Sequence, residues 1–435
     1  MSFQQGLSGL NVASKSLDVI GNNIANSGVA GFKGATAQFG DVFASSIGGG
    51  GAGAGAVGIG AQLQAMAQQF SQGNITATNN PMDLAINGGG FFRMSDAGNI
   101  SYSRNGQFHV DKDGGIINTT GQALTGYAAD ASGNILATSA APIAVPTGSL
   151  APNDTAAFDV VMNLNAGATV KALASFDTTN PATFNNSTSG TVFDSIGGSH
   201  TMTLYFLKTA ANTWSTYVQI DGASATPALP ADGITAPTGV TFPGPVLSSA
   251  LAFTTGGALS TAMPLTVSVD LDAVAAAQVP AVTNSAATPL VFTLDFTGST
   301  QYGNPFSVTT LTQDGYASGS LSSIGIGGDG IMVGHYSNGQ TKNLGQVVLA
   351  NFANPNGLTS AGSNQWKDNT ESGLPIVGVP GTGTLGALQA SAIEDSNVDL
   401  TAELVNMITA QRIYQANAQS IKTQDSVLQT LVNLR

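Results

Sequence analysis

Catalysis and metal binding need polar side chains held at set spacings, and this chain supplies few. Its three histidines, His109, His200 and His335, lie in separate strand-like runs, where the i+4 pairing of a helical zinc site does not arise. There is no cysteine, which excludes disulfides, thiolate metal sites and Cys nucleophiles. Asp111 and Asp113, in HVDKDGG, resemble the start of a calcium loop, but the glycine comes too early and no acidic twelfth position follows. They read as a hairpin turn. GAGAVG, Gly53 to Gly58, matches a dinucleotide fingerprint only as a Gly-rich tract does by chance. No strand precedes it, and the next acidic residue, Asp83, lies in the turn-like NNPMD. Neither a nucleophile elbow nor a P-loop motif occurs. No catalytic, cofactor-binding or metal-ligating residue is nominated, and the chain is not expected to be an enzyme. The remaining candidate is aromatic: Trp214, Tyr217 and Tyr205 would form either a ligand platform in the middle of the chain or part of a core.

Composition narrows the partners. Of 435 residues only 9% are charged, against about 25% in an ordinary soluble domain. Such a surface is built from Ser, Thr, Asn, Gln and Gly, and offers little charge repulsion to close subunit packing. With 12 Lys plus Arg and a net charge of −13, the chain lacks the basic footprint of a nucleic-acid or membrane-surface binder. No run approaches the ~18 apolar residues of a transmembrane helix. The N-terminus MSFQQGLSGLNVASKSLDVIG lacks the basic, apolar and cleavage regions of a signal peptide.

The elements are helices at the ends and strands between. Phe3, Leu7, Leu10, Ser14, Leu17, Gly21 and Ile24 follow spacings of four and three, one stripe of an amphipathic helix. Leu400, Leu404, Met407, Gln411, Tyr414, Ala418, Ile421, Asp425, Leu428 and Val432 do the same, with Asp399 or Ser396 as the cap. Such a stripe does not repay the entropy of ordering a long helix unless something covers it. The two helices are expected to pair as in a coiled coil, and the surplus apolar surface calls for further copies of the chain. A Gly-rich tract, Ile47 to Gln62, reads as a linker. Strand runs follow, among them HTMTLYFLK and NTWSTYVQI as a hairpin, and Asn338-Gly339 marks another hairpin of type I′.

The predicted fold class is α+β and multidomain. Terminal helices (1–30 and 396–435) pair as a coiled-coil-like unit, and linkers (31–72 and 372–395) join them to a first β domain (73–146 and 287–371). A second, outer β domain (147–286) is inserted in the first.

Ser8 to Lys33, SGLNVASKSLDVIGNNIANSGVAGFK, resembles the N-terminal signature of bacterial flagellar rod and hook proteins. Asn22, Asn23, Asn26, Gly31, Phe32 and Lys33 carry it. SNVDLTAELVNMITAQRIYQANAQSIKTQDSVLQTLVNLR is similar to that family's C-terminus, and FFRMSD, YSRNGQFHVD and LGQVVLANF to its first β domain. The inserted domain and the length resemble the hook members more than the shorter distal rod members. The resemblance implies a homopolymer, a curved helical tube that acts as a universal joint and passes motor torque to the filament. The terminal helices would line the tube, with Phe3, Leu7, Leu10, Leu17, Ile24, Leu400, Leu404, Met407, Tyr414, Ile421, Leu428 and Val432 at the assembly interface. Implied partners are the rod, hook cap and hook–filament junction proteins and the flagellar type III export apparatus. The implied location is the extracellular flagellum, reached without a cleaved signal, with no cofactor, no nucleic acid and no membrane insertion. Two alternatives stand beside this reading: another axial subunit such as the distal rod protein, and a secreted adhesin-like protein.

Overall fold

The computed structural model describes residues 2–42, 60–173, 176–224, 249–278 and 283–433. They fall into two compact units. The first comprises Met1–Thr147, Ser322–His335 and Thr341–Arg435; the second comprises Gly148–Leu321 and Tyr336–Gln340.

In the first unit the N-terminal helix runs Ser2–Ala25 and the C-terminal helix Leu400–Asn433. Asp399 starts the latter by accepting hydrogen bonds from the Thr401 and Ala402 N–H groups at 2.8 and 3.2 Å. Its 34 residues span about 51 Å. The segments expected to be linkers are strands. β1 (Ala35–Val42) and β2 (Gly60–Gln68) form an antiparallel hairpin against the N-terminal helix, where the Ser8 hydroxyl donates to the Ala61 carbonyl and accepts from its N–H. Most of the Gly-rich tract, residues 47–59, lies outside the described residues. At the other end, Ala392–Glu394 pairs with β3 (Ile75–Ala77), and Ala387–Ala390 pairs with β4 (Leu84–Asn87). These segments carry few apolar residues, so alternation does not reveal them; backbone pairing to a distant partner builds them.

The first unit's main sheet runs in the order Leu321–Ile326, Ile331–Tyr336, Thr341–Val347, Ala123–Ala128, Phe91–Asp96, Asn99–Ser103, Gln365–Lys367 and Thr359–Gly362. Phe91, Tyr102, Phe352 and Trp366 pack into its core, with Phe70 edge-on to Phe91 and Trp366. The hairpin at Asn338-Gly339 is present, but it is not of type I′. Gly339 takes φ +80° and Asn338 does not turn positive. Two-residue turns with both φ positive occur instead at Ala97-Gly98, Asp221-Gly222 and Ser363-Asn364, each joining two antiparallel strands.

The second unit is a sandwich of two sheets. One runs Leu265–Val269, Leu290–Asp295, Ala157–Asn165 and Thr300–Tyr302, with Ser307–Gln313 also on Ala157–Asn165. The other contains Asn186–Phe193, Ser199–Ala210 and Thr213–Ile220. Alternate residues Phe158, Val160, Met162 and Leu164 meet Met202, Leu204 and Phe206 in the core. The expected inserted domain ended at residue 286, but this unit continues to Leu321. The reason is long-range pairing. Leu290–Asp295 and Thr300–Tyr302 lie parallel to Ala157–Asn165, and Ser307–Gln313 closes its other edge. The run LYFL, Leu204 to Leu207, is buried at every position because both faces of its strand are covered, the second by Phe176 and Phe184.

That covering also disposes of the aromatic platform. Trp214 and Tyr217 are an odd number of residues apart on one strand, so they face opposite sides of the sheet. Trp214 is in the core and donates from Nε1 to Gln301 Oε1 at 3.1 Å. Tyr217 stacks on Phe176 on the other side, beside Tyr205. All three are buried.

Candidate functional site

The helical ends join the first unit through a small buried junction. After Ala25 the chain turns, with the Asn26 side chain donating to the Asn22 carbonyl at 2.9 Å. Asn23 points inward. Its Nδ2 donates to the Ala35 carbonyl (2.8 Å) and to Glu403 Oε1 (3.1 Å), and its Oδ1 accepts from the Ala35 N–H (3.0 Å). The side-chain amide supplies two donated hydrogen bonds and one accepted from a single group. Gly31 then takes φ +68° and donates its N–H to the Glu394 carbonyl at 2.6 Å.

Lys33 ends this turn inside the protein. Its Nζ lies 2.6 Å from Glu394 Oε1, and both side chains are fully buried. It also donates to the Ser71 carbonyl at 2.7 Å. Arg104 Nη1 lies 3.0 Å from the other oxygen, Oε2, while Nη2 donates to the Gly88 carbonyl at 2.8 Å. The Gly73 N–H donates to Glu394 Oε1 at 2.8 Å. Two cations thus share one carboxylate. Burial pulls the Lys33 ammonium below the usual lysine pKa, outweighing the opposite pull of Glu394, and burial lowers Arg104 in the same sense. Asn397 completes the junction, accepting from the Gly34 N–H at 2.8 Å and donating to the Gln69 carbonyl at 2.7 Å.

The two terminal helices pack antiparallel, but not along the expected apolar stripe. Gly6 and Gly9 face Asn417 and Ile421; a Cβ on Gly9 would fall 2.7 Å from Asn417 Oδ1, and one on Gly6 2.9 Å from Ile421 Cγ1. Ala13, Ile20 and Asn23 continue this face, and all are buried. It lies about 100° around the helix from the stripe of Phe3, Leu7, Leu10, Leu17 and Ile24. Small side chains let the two axes approach, so they take the contact and the large ones are left outside. Phe3 and Leu7 are exposed, and Leu10, Leu17 and Ile24 half-buried. On the C-terminal helix Leu400, Leu404, Tyr414 and Leu428 are exposed, while Met407 and Ile421 are half-buried. The side chain of Val432 lies outside the described residues. Of the signature residues, Asn23, Gly31 and Lys33 are buried in the junction, Asn26 and Phe32 are half-buried, and Asn22 is exposed.

Residues 3–33 match the flagella basal body rod protein family and residues 389–434 the flagellar basal body rod FlgEFG protein C-terminal family. Residues 85–162 match the flagellar hook protein FlgE/F/G D1 domain, and residues 163–316 the flagellar basal body protein FlaE D2 domain. The flagellar hook protein FlgE of Escherichia coli K12 is 42% identical, with 100% of each chain covered. The chain belongs to the flagellar hook protein FlgE family. FlgE of Rhizobium meliloti (strain 1021) is 32% identical, over 100% of this chain and 98% of its own. A crystal structure of Helicobacter pylori flagellar hook protein FlgE2 shares the fold, with a TM-score of 0.52 and 13% identity over 73% of this chain and 100% of its own.

Nothing in the sequence expectations placed Arg104, Glu394 and Asn397 in the junction, or Gly6, Gly9 and Asn417 between the helices. The glycines carry a signal, since Gly6, Gly9 and Ala13 share the helical spacing of the face that packs. Glu394 carries none, because its partners are hundreds of positions away. One histidine is also more than an ordinary strand residue. His200, within the D2 match, has Nδ1 at 2.6 Å from Asp221 Oδ2 and Nε2 at 3.3 Å from Asp194 Oδ2. Asp194 also accepts the Ile196 and Gly198 N–H groups of its own turn, and Asp221, at the turn after Ile220, accepts the Thr201 N–H of the neighbouring strand. The imidazole therefore ties two turns together. His200→Ala is expected to destabilise the second unit by about 1–3 kcal/mol. Urea unfolding followed by Trp214 emission in a Trp366→Phe background checks this; an unchanged midpoint would show that the tie contributes nothing.

Proposed function

We propose that this chain is a structural subunit, without catalytic activity, that polymerises into the flagellar hook, a curved tube serving as a universal joint between motor and filament. The observation that carries this reading is the pair of terminal helices. Their mutual contact uses up small residues and leaves large apolar ones facing water, including Phe3, Leu7, Leu404 and Ile408. Exposed apolar surface of this kind marks a contact surface. Of the twelve large apolar residues singled out along the two helices, Ile421 is taken up by Gly6 of the same chain, and the other eleven, Val432 among them, are assigned to contacts between copies. Sparse charge supports the same reading, because neighbouring subunits meet with little repulsion or desolvation cost.

In this role the chain is exported by the flagellar type III apparatus without a cleaved signal and resides in the extracellular flagellum. It adjoins rod, hook cap and hook–filament junction proteins. The buried state of Trp214, Tyr217 and Tyr205 removes the feature that favoured an adhesin. Electron microscopy of the purified, concentrated chain tests the proposal. Tubes are expected; a monodisperse monomer with both terminal helices ordered at all concentrations would overturn it.

A further inference from the structure

The segment just before the C-terminal helix grips the N-terminal leg from several sides. Ala392–Glu394 pairs with β3. The Glu394 carbonyl accepts from Gly31, its Oε1 accepts from Gly73, the Asp395 N–H donates to Asn74, and Asn397 holds Gly34 and Gln69. In the middle of this grip Glu394 is the carboxylate bonded to both Lys33 and Arg104. Lys33 precedes it by 361 positions and Arg104 by 290. Synthesis runs from the N-terminus, so both cations exist long before their counterion. Until residue 394 arrives, closing the turn at 31–34 would bury two like charges with no anion, and such charges stay in water instead.

We infer that residues 392–397 are a clasp whose closure depends on the charge of Glu394, so that the N-terminal and C-terminal legs of the chain set together or not at all. Every bond of this coupling lies within one subunit. It makes the final geometry of the N-terminal leg conditional on a complete chain. A chain that has presented only its N-terminal part keeps residues 31–34 open, and its N-terminal helix has no fixed attachment to the first unit.

Hydrogen exchange on the full-length chain tests this, read at peptides covering residues 26–36 and 70–77. Glu394→Gln keeps the shape and removes only the charge, leaving Lys33 and Arg104 facing each other. Exchange at both peptides is expected to rise about 100-fold, while the Phe91–Asp96 strand keeps its protection. Adding Lys33→Met to Glu394→Gln removes the repulsion between the two cations but leaves Arg104 without an anion, so part of the protection is expected to come back and the double stays below wild type. A clasp that works by shape alone predicts no such rescue. Wild-type protection in Glu394→Gln, or a double variant no better protected than Glu394→Gln, would overturn the inference. Should Glu394→Gln fail to fold, Lys33→Met and the double variant decide. A folded, protected double supports the charge clasp; a double that fails where Lys33→Met folds refutes it.

Discussion

Replacing both Leu404 and Ile408 with aspartate is expected to leave the subunit folded and to abolish tube formation. The two residues sit one turn apart on the C-terminal helix, at 45% and 50% exposure, so the subunit buries only about half of each. They lie away from the helix contact made through Asn417, Ile421 and Glu403. Each Leu or Ile to Asp change costs about 0.5 kcal/mol of helix propensity, a small loss for a packed helix. Between copies the balance is different. Covering the exposed halves is worth about 2–3 kcal/mol for the pair. Desolvating unpaired carboxylates in their place costs several kcal/mol more. Together these raise the concentration needed for polymerisation by more than about 1,000-fold. Circular dichroism checks the fold, and sedimentation with electron microscopy checks assembly. Tubes forming at the wild-type concentration would show that this face does not meet another copy.

The second large effect is expected at Gly31. Alanine there must adopt φ +68°, at a cost of about 1–2 kcal/mol. Its Cβ would also lie 2.5 Å from the Arg104 carbonyl carbon and 2.6 Å from the Asn105 nitrogen. These are backbone atoms and cannot simply rotate away. The Asn105 N–H is held by the Ser103 hydroxyl, and the Arg104 side chain is tied to Glu394 and Gly88. The Gly31 N–H must moreover keep its bond to the Glu394 carbonyl. Gly31→Ala is therefore expected to destabilise the first unit by more than about 3 kcal/mol. Gly28→Ala is the control. Nothing lies within 4 Å of a Cβ at Gly28, so its effect should stay within about 0.5 kcal/mol. Each unit holds one of the chain's two tryptophans, Trp366 in the first and Trp214 in the second. Urea unfolding in a Trp214→Phe background therefore reports the first unit alone. Equal midpoints for the two glycine variants would contradict the close-packed turn.

Much of this architecture was legible in local periodicity. Spacings of three and four mark both terminal helices, and the run from His200 to Ile220 folds as a hairpin. The aromatic platform was left open beside core packing, and the strand Thr213–Ile220 decided it by setting Trp214 and Tyr217 on opposite faces. The apolar stripe did not identify the face by which the helices meet, because a hydrophobic pattern says that cover is needed without naming the cover. Close approach chose the small residues instead. The end of the second unit was invisible for a related reason: Leu290–Asp295 alternates like any half-buried strand, and only its parallel partner at Ala157–Asn165 assigns it to a sheet.

Element type and the excess of apolar surface at the two ends are therefore written in the chain, since both follow from neighbours within a few turns. Tertiary structure alone decided which charges share the junction. Lys33, Arg104 and Glu394 are ordinary residues where they stand in the chain. They become one buried cluster because strand pairing at residues 75–77 and 84–87 carries residues 387–394 back to the N-terminal leg. An ion pair shielded from water is a property of that meeting, and no window of sequence contains it.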